Sequence, residues 1–271
     1  MSVNETPHNP GRKARIIGIA NQKGGVGKTT TAINLATGLA AVGRQVLVID
    51  LDPQGNASTG LGIARSARER TTYDVLIGEA SVAESTLATE IPGLRIVPST
   101  IDLSGAEIEL IDLPQRNFRL REALLSVCYK YDFIPIDCPP SLNLLTVNAL
   151  VAAESVIVPL QCEFFALEGL SLLLQTIERV KQHFNPTLAM HGVVLTMFDK
   201  RNKLSDQVAA DVRGHLGDKV YDTVIPRNVR ISEAPSLGKP DLLYDHKSAG
   251  SEAYMKLAGE LLRREQTQAA A

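Results

Sequence analysis

Apolar residues in this chain fall into two textures that alternate from one end to the other. Short unbroken runs predict buried strands over residues 15–20, 45–50, 94–98, 131–137, 155–160, 191–196 and 220–225. Between them the apolar positions recur at helical spacing. Ala32, Ile33, Leu35, Ala36, Leu39 and Ala40 do so until Gly43, and Leu167, Leu170, Leu173, Leu174, Ile177 and Val180 form one stripe, read as core. Residues 104–130 read as helical with an interruption at Pro114, and further helices are expected over 204–216 and 247–264. Residues 60–92 are less periodic, with a short helix start at 71–76, and 226–235 reads as a loop. Strands alternating with helices predict an α/β fold, a mostly parallel twisted sheet flanked by helices on both faces.

The pattern carries no internal repeat and needs no second domain. A single domain is expected over 14–264, after a disordered polar arm at 1–13 that contains Pro7, Pro10 and Gly11, and before a flexible tail at 265–271. The arm lacks the apolar centre of a signal peptide. No stretch approaches the roughly 20 apolar residues that cross a bilayer, so a soluble, cytoplasmic protein is expected.

Composition adds two limits. Lys and Arg total 28 against 30 Asp and Glu, a net charge of −2, so any nucleic-acid contact must come from a local basic patch. The 3 cysteines, Cys128, Cys138 and Cys162, have no metal-like pairing and read as reduced, buried small residues.

The chemistry concentrates in residues 21–30, between the first strand and the first helix. Gly24, Gly25, Val26 and Gly27 precede Lys28, Thr29 and Thr30. The glycines let backbone N–H groups approach phosphate oxygens, Lys28 can reach the terminal phosphates, and Thr29 can ligate Mg²⁺, while the following helix points its positive end at the anion. The usual loop begins with glycine five positions before the one that precedes its lysine, and here that position is Gln22. Lys23 is a second ammonium that one loop around one nucleotide does not require.

Two strands end in acid. The run 45–50 leads into Asp50 and Asp52, and the run 131–137 ends at Asp137 before Cys138, Pro139, Pro140 and Ser141. In a parallel sheet ligands gather at the carboxyl ends of strands, so these carboxylates are expected to face the phosphate loop, with Asp137 holding a nucleotide-bound metal. Pro135 interrupts the second run, since proline cannot donate to a sheet ladder.

Taken together, residues 23–30, 50–56, 137–141 and 225–236 resemble the ParA/Soj chromosome-partitioning ATPases, a branch of the phosphate-loop NTPases with a deviant Walker A motif. The segment 161–169 is similar to that family's pattern too, and Pro135 departs from it, because the family usually has an aliphatic residue there. The resemblance covers roughly residues 14–264. It implies that ATP and Mg²⁺ bind, and that ATP drives two subunits face to face, with Lys23 crossing to the partner's nucleotide. By the same resemblance Asp52 positions the attacking water, Thr29 and Asp137 hold Mg²⁺, Asp50 supports the phosphate site, and Pro226 and Asn228 border the adenine. The nucleotide-binding set is then Lys23, Gly24, Gly25, Val26, Gly27, Lys28, Thr29, Thr30, Pro226 and Asn228.

The resemblance further implies a weak ATPase, stimulated by a ParB-type centromere-binding protein, whose dimer binds double-stranded DNA without sequence preference and associates with the nucleoid. Basic candidates for that contact are Lys200, Arg201, Lys203, Arg227, Arg230 and Lys247, with Lys239 nearby. Two alternatives share the loop. A MinD-like or gradient-forming division regulator is one; membrane attachment would need a terminal amphipathic helix with a basic face. In the last helix Tyr254, Leu257, Leu261 and Leu262 read instead as core packing, and no membrane partner is expected. A relative of the nitrogenase iron protein would need cluster-binding cysteines in motifs that the chain lacks.

Overall fold

The computed structural model describes residues 11–163 and 166–270. Its strands are β1 (Arg15–Ile19), β2 (Val46–Asp50), β3 (Leu87–Ala88), β4 (Leu94–Val97), β5 (Phe133–Asp137), β6 (Ser155–Gln161), β7 (Ala189–Phe198) and β8 (Val220–Pro226). They form one 8-stranded sheet in the order β3-β4-β2-β5-β1-β6-β7-β8. Every pairing is parallel except β3 with β4. All seven runs expected to be strands are strands. β3 was not foreseen, because two residues carry no periodicity.

The helices are α1 (Lys28–Ala41), α2 (Asn56–Gly60), α3 (Thr72–Ile77), α4 (Leu103–Glu109), α5 (Arg119–Leu124), α6 (Leu144–Ala152), α7 (Ala166–His183), α8 (Lys203–Leu216), α9 (Val229–Glu233), α10 (Asp241–Tyr244) and α11 (Ala249–Ala270). They cover both faces of the sheet. On one face, Ile33, Leu35 and Leu39 of α1 join Tyr254, Leu257 and Leu261 of α11 over Ile17, Val48 and Ile157. On the other, α5 to α8 contribute Leu120, Leu145, Leu170, Leu173 and Val212. The stripe on α7 is therefore core, as its spacing predicts, and the apolar side of α11 is core too.

Several expectations change. Residues 104–130 are not one interrupted helix: α4 ends in a 3-10 turn at Leu110–Asp112, and the chain reverses through Pro114 and Gln115, the latter at φ 59°, before the short α5. The expected loop at 226–235 contains α9, whose cap is Asn228, with Oδ1 accepting the Arg230 N–H at 2.8 Å. The tail expected to be flexible from 265 is instead the end of α11, which runs to Ala270 with Glu265 buried. α6 was missed because nearly every position in it is buried, which erases the one-sided periodicity. Of the arm expected at 1–13, residues 1–10 lie outside the described residues, as do residues 164 and 165 of the family-like segment 161–169.

Pro135 sits in the central strand after all. Its register with β1 is unbroken, Arg15 to Ile19 against Phe133 to Asp137. Phe133 N–H donates to Gln45 O and Asp137 O accepts from Leu51 N–H, so the odd residues of β5 turn towards β2. Pro135 faces that side, and one ladder bond is lost there without displacing the strand.

Candidate functional site

The sheet order makes the site. β1 is central, β2 and β4 lie to one side of it beyond β5, and β6 to β8 lie to the other, so connections leave β1 and its neighbours in opposite directions. Such a reversal opens a crevice at the carboxyl ends of the strands. The loop 21–27 spans it and runs into α1. Gly25 (φ 74°) and Gly27 (φ 89°) take left-handed conformations, and Gly27 is the residue that caps α1.

The loop is tied down by groups the sequence did not single out. The buried Asn21 donates from Nδ2 to Pro159 O at 2.7 Å, and its Oδ1 accepts the Lys23 N–H at 3.1 Å. Thr196, near the end of β7, donates from Oγ1 to Val26 O at 2.8 Å. The next residue, Met197, has φ 49° and lies beside Gly27. Asn21 carried a readable signal, an amide directly after a buried strand and before the glycines; Thr196 carried none.

Lys28 is buried, and its Nζ donates to Lys23 O at 2.9 Å. Burial lowers its pKa, against the opposing pull of Asp137, Cys138 and Asp52. The Lys23 ammonium points elsewhere, pairing with Glu163 just past β6.

Asp50 and Asp137 are register partners at the ends of adjacent strands, and both are fully buried. Asp50 is well supported: Oδ2 accepts from Ser58 N–H at 2.8 Å and Ser58 Oγ at 2.6 Å, and Oδ1 from Asp52 N–H at 3.3 Å. Burial still pushes its carboxyl up to about 6, because those bonds offset the desolvation only in part. Asp137 is different. Among the described residues neither of its oxygens completes a hydrogen bond, although the Thr29 side chain is near enough to favour its ionised form. Burial and the Asp50 charge drive its pKa well above the ordinary value. An orphaned buried carboxylate beside a hydroxyl at the start of α1 fits a divalent cation, which Asp137 and Thr29 would hold through oxygen.

Asp52 follows β2, with Oδ1 accepting Gln54 N–H at 3.0 Å. The turn after it depends on Gly55, at φ 63°, where a Cβ would come within 2.7 Å of Ser99 O. The buried Arg68 locks this turn by donating to Gly55 O, Ser99 O, Ile63 O and Thr59 Oγ1. Nothing in the local pattern around Arg68 marked it.

Beside Gly27 and Thr30 lies a cavity of about 540 Å³ whose wall includes Pro226, Asn228, Ile231 and Tyr254. Both residues expected to border a base therefore line a pocket continuous with the loop. The basic candidates divide. Lys200, Arg201 and Arg227 line one groove of about 820 Å³, together with Lys256 of α11. Arg230 turns away from it: Glu233 and Asp245 neutralise its guanidinium, which lies 5.9 Å over the Tyr244 ring. Lys203, Lys239 and Lys247 are exposed outside that groove. The three cysteines are all buried. Among the described residues, no helix is long and apolar enough to cross a membrane.

Comparison with known proteins gives a family and a fold. A family model described as an AAA domain matches residues 14–190. The chain is 64% identical over 253 residues to the chromosome partitioning protein ParA of Caulobacter vibrioides, covering 93% of this chain and 95% of that one. It is 54% identical over 247 residues to the sporulation initiation inhibitor protein Soj of Bacillus subtilis, covering 91% and 98%. Among solved structures it is similar to cobyrinic acid a,c-diamide synthase from Mycobacterium smegmatis with bound ADP and magnesium, with a TM-score of 0.83, 37% identity, and 94% and 96% of the two chains covered.

Proposed function

Because this chain belongs to the ParA/Soj family of chromosome-partitioning ATPases, we propose that it is a Mg²⁺-dependent ATPase that binds DNA as an ATP-bound sandwich dimer and hydrolyses ATP weakly until a ParB-type partner stimulates it. The observation that carries the reading is the pairing of a glycine-rich loop at α1 with the orphaned carboxylate of Asp137.

On ATP binding, Lys28 exchanges the Lys23 carbonyl for phosphate oxygens, and the N–H groups of Gly24 to Thr30 surround the phosphates. Thr29 and Asp137 hold Mg²⁺, which neutralises charge on the phosphates when bound. Asp52, fixed by the turn that Gly55 and Arg68 maintain, presents a carboxylate oxygen that orients the attacking water. Pro226 and Asn228 border the adenine. Lys23 acts in trans, stabilising charge on the partner's nucleotide, so the site is completed only in the dimer. Lys200, Arg201, Arg227 and Lys256 form the first DNA-contact groove, and Lys203 and Lys247 extend the basic surface, while Arg230 is already paired with Glu233 and Asp245. Cytoplasmic, nucleoid-associated localisation follows from DNA retention.

The test is retention on random duplex DNA and, in parallel, on anionic liposomes, with and without Mg²⁺-ATP across a salt series. ATP-dependent DNA retention that falls steeply with salt and is lost in Lys28→Ala is the expected outcome. ATP-dependent retention on liposomes instead would establish the MinD-like alternative.

A further inference from the structure

Lys23 is held twice within its own subunit. Its carbonyl accepts from Lys28 Nζ at 2.9 Å, and its ammonium pairs with Glu163 Oε2. Glu163 is itself positioned: Gln161 Nε2 donates to its Oε1, and its backbone N–H donates to Gln161 O at 2.9 Å, directly after β6. Both oxygens of the carboxylate are therefore engaged, one by the end of the strand and one by the loop. The Lys23 and Glu163 side chains are 43% and 45% exposed.

We propose that Glu163 is a positioning residue that holds Lys23 in its own subunit until the ATP-bound dimer forms. The inference rests on the reading above that Lys23 acts in trans. Two restraints on one residue give the release an order. When Lys28 moves to the phosphates, the Lys23 carbonyl loses its partner, and the ion pair with Glu163 is the remaining restraint. Closure of the dimer then exchanges one carboxylate for the multiply charged phosphates of the partner's nucleotide. An exposed pair suits this role, since it contributes no more than about fivefold to an equilibrium and yields to a stronger anion. Until then it keeps the Lys23 ammonium from the subunit's own nucleotide.

Glu163→Gln tests this, because it keeps the shape and removes the charge. Sedimentation velocity with Mg²⁺-ATP, in an Asp52→Ala background that limits hydrolysis, reads the protein concentration at half-dimerisation. Removing the restraint is expected to lower that midpoint about two- to fivefold at low salt, with the difference shrinking as salt screens the pair. ATP affinity of the monomer stays unchanged. A midpoint that is unmoved, or raised, in a parent that does dimerise overturns the restraint alone. A parent that stays monomeric with bound ATP overturns the in-trans reading, and the restraint with it.

Discussion

At the scale of single residues, the site depends on groups that touch no phosphate. Asn21 joins the loop to β6 through Pro159 O, and proline's place there is telling. Ile157 O accepts from Ala20 N–H, so the alternate residues of β6 face β1, and at Pro159 the strand β1 has already ended. The Asn21 amide takes over where backbone pairing stops. Asn21→Ala leaves that buried carbonyl and the Lys23 N–H without their partners, which costs roughly 1–3 kcal/mol. The expected outcome is a lower urea midpoint together with about tenfold weaker ATP binding, a loss of about 1.4 kcal/mol in loop preorganisation. Normal ATP affinity in a destabilised variant would show that the loop keeps its shape without this brace.

At the scale of elements, α11 does more than cover one face of the sheet. Glu260 accepts the N–H groups of Asp222 and Thr223, each at 2.9 Å, and Arg264 donates to Val220 O at 2.9 Å while its guanidinium lies 4.1 Å over the Tyr221 ring. One turn further, Glu265 lies against Arg15 of β1 and His191 of β7, so the end of the helix ties an inner strand to an outer one. Burial raises the pKa of Glu265, but His191 and Arg15 outweigh it and hold the carboxyl below its ordinary value. Glu265→Ala takes one carboxylate from the half-buried Arg15, which keeps Glu154, and leaves Nε2 of the buried His191 without the acid 3.2 Å from it. Destabilisation of about 2 kcal/mol is expected in urea unfolding, with Glu265→Gln milder. A change within about 0.5 kcal/mol would place the residue with ordinary surface substitutions.

At the scale of the whole molecule, the site is a cost that the rest of the fold supports. Asp50 ionises near 3.8 when exposed and at about 6 in the folded chain. Between those values the folded state binds more protons than the unfolded one, so stability falls as pH rises through that window. Nucleotide-free protein is therefore expected to gain about 1 kcal/mol from Asp50 on going from pH 7 to pH 5. Urea titrations at the two pH values check this against Asp50→Asn, which should show a smaller gain, since Asp137, also raised by burial and by the Asp50 charge, contributes with the same sign. Glu260 and Glu265 are held below the ordinary value of 4.5, so their opposite contribution sets in only below the pH 7 to pH 5 interval of the titration. Equal pH dependence in the two proteins would remove Asp50 as the source.

What the sequence determined by itself was the set of elements long enough to carry a period and the residue types that phosphate chemistry demands. Seven strands, α1, α7 and α8 were legible because burial on a sheet or on one helix face writes itself into spacing. The loop with Lys23 and Lys28 was legible because a phosphate loop is one contiguous stretch, and the acids at the ends of β2 and β5 because each closes an apolar strand run. Only the tertiary structure decided the rest. Glu163 meets Lys23 across 140 positions, Thr196 meets Val26 across 170, and Lys256 joins Arg227 from a different element. Among the described residues Asp137 is left without a hydrogen bond, and Arg230 is met by Asp245 from beyond its own helix, in addition to its i+3 neighbour Glu233. Spacing along a chain records which face a residue shows to the core, while the partner it finds there depends on where the sheet order brings distant strand ends together.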